Sequence, residues 1–391
     1  LALALALDAH GLASAVVDTA DLDRTIAPAH DGRASAIASA SCRMLDAIGV
    51  GGRLEGQGCP IYTIHVSEGL GRGLLDFAAE RADGPLGMMY ENRAVRRALI
   101  EAARAASNIA LHAPARAVST VRDDHRATVT LDDGTVLTAP LLVAAEGRRS
   151  PTREAAGIRI ARWHYHQTAI VSTIHHARPH DNTAYEIFYP AGPFAVLPLP
   201  DEAGGQHRSA IVWSVGEAEG PATAALPPRA LGAEIDKRLG GLLGAVAPAG
   251  PVWSYPLGFH QSMRIVDQRL ALLGDAAHGI HPIAGQGLNM GLRDVAALTE
   301  VLVDGVRLGL DPGDAQLLAR YQRWRALDNM MVAGSTDVLN RLFGIKGRAM
   351  SHLRAAGLAA VERLPPLKRA FMAEARGETG ELPKLLTGAL V

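Results

Sequence analysis

The chain has 391 residues, with 39 Lys and Arg set against 40 Asp and Glu for a formal net charge of -1. That length allows two or three domains, and the charge balance excludes a general electrostatic attraction to nucleic acid, so no nucleic-acid partner is expected. Two cysteines, Cys42 and Cys59, are too few and too poorly spaced for a zinc site or a disulfide framework. A reducing compartment and inert thiols are the expectation, and no apolar run is long enough to span a bilayer.

LALALAL at the start alternates like a strand, but both residue types are apolar and both are strong helix formers. The segment Leu1–Ala9 therefore reads as a buried helix. Gly11 ends it, and Ala13–Val17 follows as a strand with Asp18 at its tip. Helix, glycine, strand and acid make the second half of a dinucleotide-binding βαβ unit, in which the acid takes ribose hydroxyls; an ordinary αβ unit fits the segment equally well on its own. The first half, a strand and a G-x-G-x-x-G turn, would lie before Leu1. The chain starts on Leu rather than Met, so upstream residues are expected to be missing.

Asp31-Gly32-Arg33 comes next, where a cation placed after the cofactor unit could meet a pyrophosphate. A helix over about Ser41–Ile48 closes at Gly49, and the glycine-rich stretch 51–87 reads as weak strands and loops. Glu91-Asn92-Arg93 opens a helix through Ala106 with Val95, Leu99 and Ala102 or Ala103 on one face. Arg93 in its first turn opposes the helix dipole, which points to a ligand there. Strands are expected around Ala115–Arg122, Ala127–Leu131 and Val136. Leu141–Gly147 reads as a buried strand ending in Glu146 and Gly147.

Between residues 163 and 265 the pattern changes to strands at Ala169–His175, Ala184–Tyr189, Phe194–Leu199, Ser209–Val215 and Val252–Phe259, with a helix at Arg229–Leu243. This predicts a mostly antiparallel sheet with one covering helix. Its histidines (His164, His166, His175, His176, His180) fit no recognised ligand spacing, and no metal is expected. After residue 288 the chain reads as helical, with helices at Leu288–Leu308, near Ala315–Val332 and near Val338–Leu364, then a short one beyond Pro365-Pro366. From Arg341 onward nine Lys or Arg face four Glu. Such an excess is commonly a solvated face, and it also suits contact with an anionic membrane or a partner protein.

The stretch Leu270–Asp294, LALLGDAAHGIHPIAGQGLNMGLRD, holds the densest chemistry. A buried strand delivers Asp275 at its tip, and a loop with Pro282, Gly285 and Gly287 opens a helix near Leu288. Glycines let backbone approach a ligand, and the helix start favours negative charge. Acid-bearing strand tips occur at Asp18, Glu146 and Asp275, which suggests loops converging on one ligand at the carboxyl edge of a sheet.

Gly274-Asp275-Ala276-Ala277-His278, His281-Pro282 and Gly285–Gly291 (GQGLNMG) resemble the second FAD-binding motif of the class A flavoprotein aromatic hydroxylases, most closely the ubiquinone-biosynthesis subgroup. DGRASAIASAS (Asp31–Ser41), ENRAVRRAL (Glu91–Leu99), YEIFYPAGPFAVLPLP (Tyr185–Pro200) and FMAEARGETGELPKLLTG (Phe371–Gly388) agree with that subgroup. The resemblance implies an α/β fold: a Rossmann-like FAD-binding domain, its N-terminal strand and glycine turn missing, with an inserted mostly antiparallel β-sheet substrate domain and C-terminal helices. The implied division is 1–162 and 266–335 for FAD, 163–265 for substrate and 336–391 for the helical end.

It further implies that Asp275, with Gly274 beside it, binds the ribityl hydroxyls and that Asp18 holds the adenosine ribose. Arg33 and Arg93 would face the pyrophosphate and ribityl side, and Val118 would touch the adenine by its main chain. Pro282 would lie against the isoalloxazine, with Gly285 and the backbone of Gly287, Leu288 and Asn289 near the pyrimidine edge. Tyr189, Phe194 and Val196 would line the substrate cavity. No side chain acts as a catalyst. The implied activity is hydroxylation of a polyprenylated phenol with NADH or NADPH and O2 through a flavin hydroperoxide, with FAD carrying the chemistry.

A cytoplasmic protein is expected, with peripheral contact to the inner face of the membrane and to other biosynthetic enzymes. A flavin-deficient subunit of a biosynthetic complex, or another FAD-dependent redox enzyme on this fold, is the alternative. Two departures from the family stand out: Glu146-Gly147 replaces its Asp-Gly motif, and the phosphate-binding glycine turn is not present.

Overall fold

The computed structural model describes residues 1–27, 32–70, 75–281, 285–344, 361 and 363–391, and in 327 and 331–344 the backbone alone. The opening alternation of Leu and Ala forms helix α1 (Ala2–Asp8), with Ala4, Leu5 and Ala6 buried. Strand β1 (Ser14–Val17) follows, then α2 (Leu22–Thr25), β2 (Ala34–Ala38), α3 (Ser39–Ala47), β3 (Cys59–Ile61), β4 (Thr63–Glu68), β5 (Leu75–Ala78) and β6 (Gly87–Glu91). Helix α4 (Asn92–Ala105) buries Val95, Ala98, Ile100, Ala102 and Ala103, as its 3.6-residue pattern requires.

A strand not anticipated from sequence comes next, β7 (Ile109–His112), parallel to β1 with Ser14 opposite Ile109. It is only four residues long and half-buried, too short for a periodic signal. Strands β8 (Ala117–Arg122), β9 (Ala127–Leu131) and β10 (Val136–Ala139) form a small antiparallel sheet. Strand β11 (Leu142–Ala144) and helix α5 (Pro151–Ala155) complete this part of the chain.

The large sheet is built from β12 (Ile160–His176), β13 (Thr183–Tyr189), β14 (Gly192–Leu199), β15 (His207–Gly216), β16 (Val246–Pro248) and β17 (Trp253–Ser262). Helices α6 (Gly220–Ala224) and α7 (Pro228–Leu239) lie within this segment. The sheet is wider than residues 163–265: its strand order runs from β5 and β4 through β13, β14, β15, β12 and β17 to β20 (His278–Gly279). Pairing is antiparallel except where β13 meets β4.

Strands β18 (Val266–Asp267) and β19 (Leu270–Leu272) return the chain to β11, which runs parallel to β19 with Leu142 opposite Leu270. Helix α8 (Gln286–Arg307) starts two residues earlier than the sequence indicates. Helix α9 runs unbroken over Ala315–Gly344. It replaces two separately expected helices, whose continuation over 345–360 lies outside the described residues. Two further helices, Pro365–Arg376 and Lys384–Thr387, end the chain.

One core joins α1, α3, α4, β11, β19, α8, α9 and the final helix through residues such as Leu5, Met44, Ala271, Leu298, Tyr321 and Leu385. A second lies between the large sheet and α7, with Ile170, Phe194, Ile211, Leu231 and Ile235. A third, including Cys59, Met89, Leu199 and Ala210, packs the β2–β6–β3 sheet on the opposite face of the large sheet. Burial pushes the Cys42 thiol up to about 12 and the Cys59 thiol to about 11, so both stay protonated and unreactive at neutral pH. Among the described residues no helix is long and apolar enough to cross a membrane, and no group of three or more His, Cys, Asp and Glu has metal-binding geometry.

Candidate functional site

The turn between β19 and β20 is fixed from three directions. Gly274 donates its N–H to Asp294 Oδ2 on α8 at 2.9 Å. His260 Nε2 on β17 donates to the Asp275 carbonyl at 2.8 Å. Arg153 on α5, only 2 % exposed, donates from Nη1 to the Ala276 carbonyl at 3.0 Å. Gly274 has φ +53°, and a Cβ there would sit 3.8 Å from the Gly291 Cα on α8. A backbone bound this tightly has one orientation to offer. The carboxylate of Asp275 is exposed and takes no hydrogen bond or ion pair from any described residue. An acid with a rigid base and free oxygens suits ligand hydroxyls.

Helix α8 begins beside it. Its N-cap Gly285 has φ 64° and makes no side-chain cap, which suits the N–H groups of Gly287 and Leu288 to a ligand. A Cβ on Gly285 would come 3.3 Å from that of Ala36, whereas at Gly287 it would meet nothing within 4 Å. The α8 surface at Gly287 and Leu288 is thus open. Asn289 does something else: Nδ2 donates to the Ala36 carbonyl at 2.9 Å, and Oδ1 accepts the Ala38 N–H at 2.9 Å. This side chain completes the free edge of β2 and ties it to α8, leaving only its backbone for a cofactor. Pro282 lies outside the described residues.

Asp18 sits exposed at the end of β1, its Oδ1 accepting the Ala20 N–H at 2.8 Å. The Arg33 guanidinium lies over the Tyr255 ring at 5.4 Å, joining β2 to β17. Arg93 lies in the first turn of α4 and has no partner among the described residues. Val118, 60 % exposed, falls where the β8–β9 register shifts between Ala117 and Ser119, and β8 is an edge strand. Backbone at a bulge on an edge is free to meet a ligand.

Glu146 is absorbed by local structure: Oε1 accepts the Ser150 hydroxyl at 2.6 Å and the Thr152 N–H at 2.7 Å. The longer acid closes the loop onto the start of α5, where Ser150 is the N-cap. Sequence reasoning did not single out Arg153, His260, Asp294 or Arg325. Their signal is burial of charge, which appears only when the elements meet.

The expected substrate-lining residues face the other way. Phe194 and Val196, 0 % and 1 % exposed, and the half-buried Tyr189 pack into the core beneath α7, with the Tyr189 hydroxyl donating to the Arg238 carbonyl at 2.6 Å. Strand alternation puts Ala195, Leu197 and Val212 on the opposite face, towards β2 and the Tyr165, Tyr255 and Leu257 side chains.

Burial lowers the His260 pKa below its ordinary 6.5, with Arg148 adding to the effect and the Asp275 carbonyl opposing it. A histidine whose folded value is depressed binds its proton more readily when unfolded. Stability is therefore full above about pH 6.5 and falls as the pH drops below it. His260→Gln, which keeps a donor for the Asp275 carbonyl, is expected to flatten that decline. Urea unfolding from pH 7.5 to 5.5 would measure it; an unchanged slope would contradict the assignment.

A family model described as FAD binding domain matches residues 1–335. The ubiquinone hydroxylase UbiL of Rhodospirillum rubrum is 46% identical over 389 residues, covering 99% of this chain and 90% of that protein. The 3-demethoxyubiquinol 3-hydroxylase of Escherichia coli is 33% identical, covering 96% of this chain and 95% of its own length. Among solved structures, PqsL of Pseudomonas aeruginosa, described as a probable FAD-dependent monooxygenase, superposes with a TM-score of 0.76 at 23% identity, covering 92% of this chain and 96% of PqsL. That likeness bears on the fold.

Proposed function

The chain belongs to the FAD binding domain family, and on that premise we propose that it is an FAD-dependent monooxygenase hydroxylating the aromatic ring of a polyprenylated phenol in ubiquinone biosynthesis. The observation that carries this reading is the clamped turn with its unpaired Asp275 carboxylate beside the open first turn of α8. Similarity to two hydroxylases of ubiquinone-type substrates over almost the whole chain supports the substrate class.

The residues present fit FAD. Asp275, on the turn that begins at Gly274, would hold the ribityl hydroxyls and Asp18 the adenosine ribose. Arg33 and Arg93 would meet the pyrophosphate, and the Val118 backbone the adenine. The N–H groups of Gly287, Leu288 and Asn289 would stabilise negative charge at the flavin's pyrimidine edge, with Gly285 setting the helix start. When bound, the flavin takes hydride from NADH or NADPH and activates dioxygen for insertion of one oxygen atom into an electron-rich ring. The protein's own part is to orient the two rings and exclude water, which suppresses loss of reducing equivalents to peroxide.

On this reading residues 1–162 and 266–335 would hold the cofactor and 163–265, with β4 and β5 added, would face the substrate; the expected boundary at 335 falls inside the unbroken helix α9. The apolar surface of Ala195, Leu197, Val212, Tyr255 and Leu257 suits a prenylated ring. The helix Pro365–Arg376 is preceded by exposed Leu364 and exposes Leu367 and Phe371, with Lys368 and Arg369 alongside. These apolar positions recur at i, i+3 and i+7, a stripe suited to peripheral contact with an anionic bilayer from which a lipid-like substrate is drawn. Adding a prenylated phenol to the purified, flavin-loaded protein should accelerate NADPH consumption. Consumption that instead yields peroxide alone, whatever phenol is added, would argue for an oxidase.

A further inference from the structure

Asp294 is fully buried on α8, and its carboxylate gathers three donors. Oδ2 accepts the Gly274 N–H at 2.9 Å and His278 Nε2–H at 2.7 Å; Oδ1 accepts Arg325 Nε–H at 2.7 Å. Gly274 and His278 flank the turn that carries Asp275, so a single oxygen closes that turn like a staple. Arg325 is held in turn by Asp328 Oδ2 at 2.6 Å and Asn329 Oδ1 at 2.8 Å, which anchors the staple on α9.

Two helices could be fastened as well by apolar contact, and a buried charge is a costly substitute for it. What the carboxylate adds is direction: three donors from separate elements fix the turn in one pose. We propose that Asp294, with His278 and Arg325, is the positioning group of the Asp275 carboxylate, and that through it Asp294 sets the affinity for FAD and the orientation of the bound flavin. This rests on the reading of Asp275 as the ribityl-binding acid.

The full protein, stripped of flavin and titrated with FAD, tests the proposal. In Asp294→Asn the Gly274 N–H and the Arg325 Nε–H, which address the two different oxygens, remain donors while the amide turns an NH2 group to one of them, so the staple cannot be satisfied. Leu302→Ala, which hollows the core further along the same helix, serves as a variant of comparable thermal destabilisation. The expectation for Asp294→Asn is an FAD Kd raised roughly tenfold or more, the weight of about one hydrogen bond, with an altered visible circular dichroism of the bound flavin. Leu302→Ala at a matched loss of Tm should keep both near wild type.

An Asp294→Asn protein that binds FAD no worse than Leu302→Ala, while Asp275→Ala releases it, would overturn the proposal and leave the Asp275 reading intact. If Asp275→Ala also retains FAD, the reading of the site fails first, and the same titration reveals it. Should Asp294→Asn not fold, His278→Gln keeps a donor for Oδ2 and His278→Leu removes it. The first should preserve Kd and flavin dichroism and the second should lose both; identical behaviour of the pair would also overturn the proposal.

Discussion

Arg325→Met is expected to cost the fold roughly 3 to 5 kcal/mol, because removing one partner of a buried ion pair strands the other charge. Arg325 is 1 % exposed, and its guanidinium serves Asp294, Asp328 and Asn329 together. Burial pushes the Asp294 carboxyl up, but His278 and Arg325 outweigh burial and hold it below the ordinary 3.8. A carboxylate depressed in the folded state contributes stability that is fully present above the ordinary value and is lost as the pH falls through the folded one. The pair is thus at full strength at neutral pH, where guanidinium unfolding of the variant should show the full deficit. Combining Arg325→Met with Asp294→Leu should restore only part of the loss, since it removes the stranded carboxylate but leaves the Gly274 N–H and the His278 ring N–H without their acceptor. A single variant costing less than about 1 kcal/mol, the scale of an exposed pair, would contradict this assignment.

Asp275→Ala should leave the fold almost untouched and release the cofactor. The side chain is exposed and bonds to no described residue, so truncation falls in the surface class, within about 0.5 kcal/mol of wild type. Each charge-assisted hydrogen bond to a ribityl hydroxyl is worth roughly 1.5 to 3 kcal/mol, or about 10- to 150-fold in Kd. Calorimetric unfolding of the flavin-free protein together with flavin retention on gel filtration separates the two effects. Stoichiometric flavin in the variant would contradict the role given to Asp275.

These two residues mark what the sequence reveals and what it hides. The turn at Asp275 is legible because local pattern alone produces it: four apolar residues, a glycine, an acid and a glycine-bearing loop follow one another in the chain. Arg325 is not, because its partner on α8 is distant in sequence and an arginine that follows Arg320 and Arg323 in a helical stretch reads as part of a wet face. The same contrast holds for secondary structure. Helix α4 follows its hydrophobic period, whereas β7 is too short to carry one and α9 has no breaker strong enough to divide it.

The two faces of the large sheet show a different limit. Strand β14 is buried along nearly its whole length, so its sequence has no polar alternation to distinguish the side beneath α7 from the side facing β2. A strand covered on both faces leaves the choice of face to tertiary packing. The resemblance implies Phe194 and Val196 as cavity residues. They pack under α7, and Ala195 and Leu197 are turned to the opposite face of the sheet, towards β2. Glu146 likewise reads as a defect in a family motif, and the structure gives it a local role in bonding to Ser150 and Thr152.

The central claim, ring hydroxylation by a bound flavin, is tested most directly by supplying the FAD-loaded protein with NADPH, a polyprenylated phenol and isotopically labelled dioxygen, then weighing the product by mass spectrometry. The account predicts a phenol that has gained one labelled oxygen atom, formed only when reductant and flavin are both present. Recovery of unchanged phenol with labelled peroxide accounting for the NADPH consumed would contradict it.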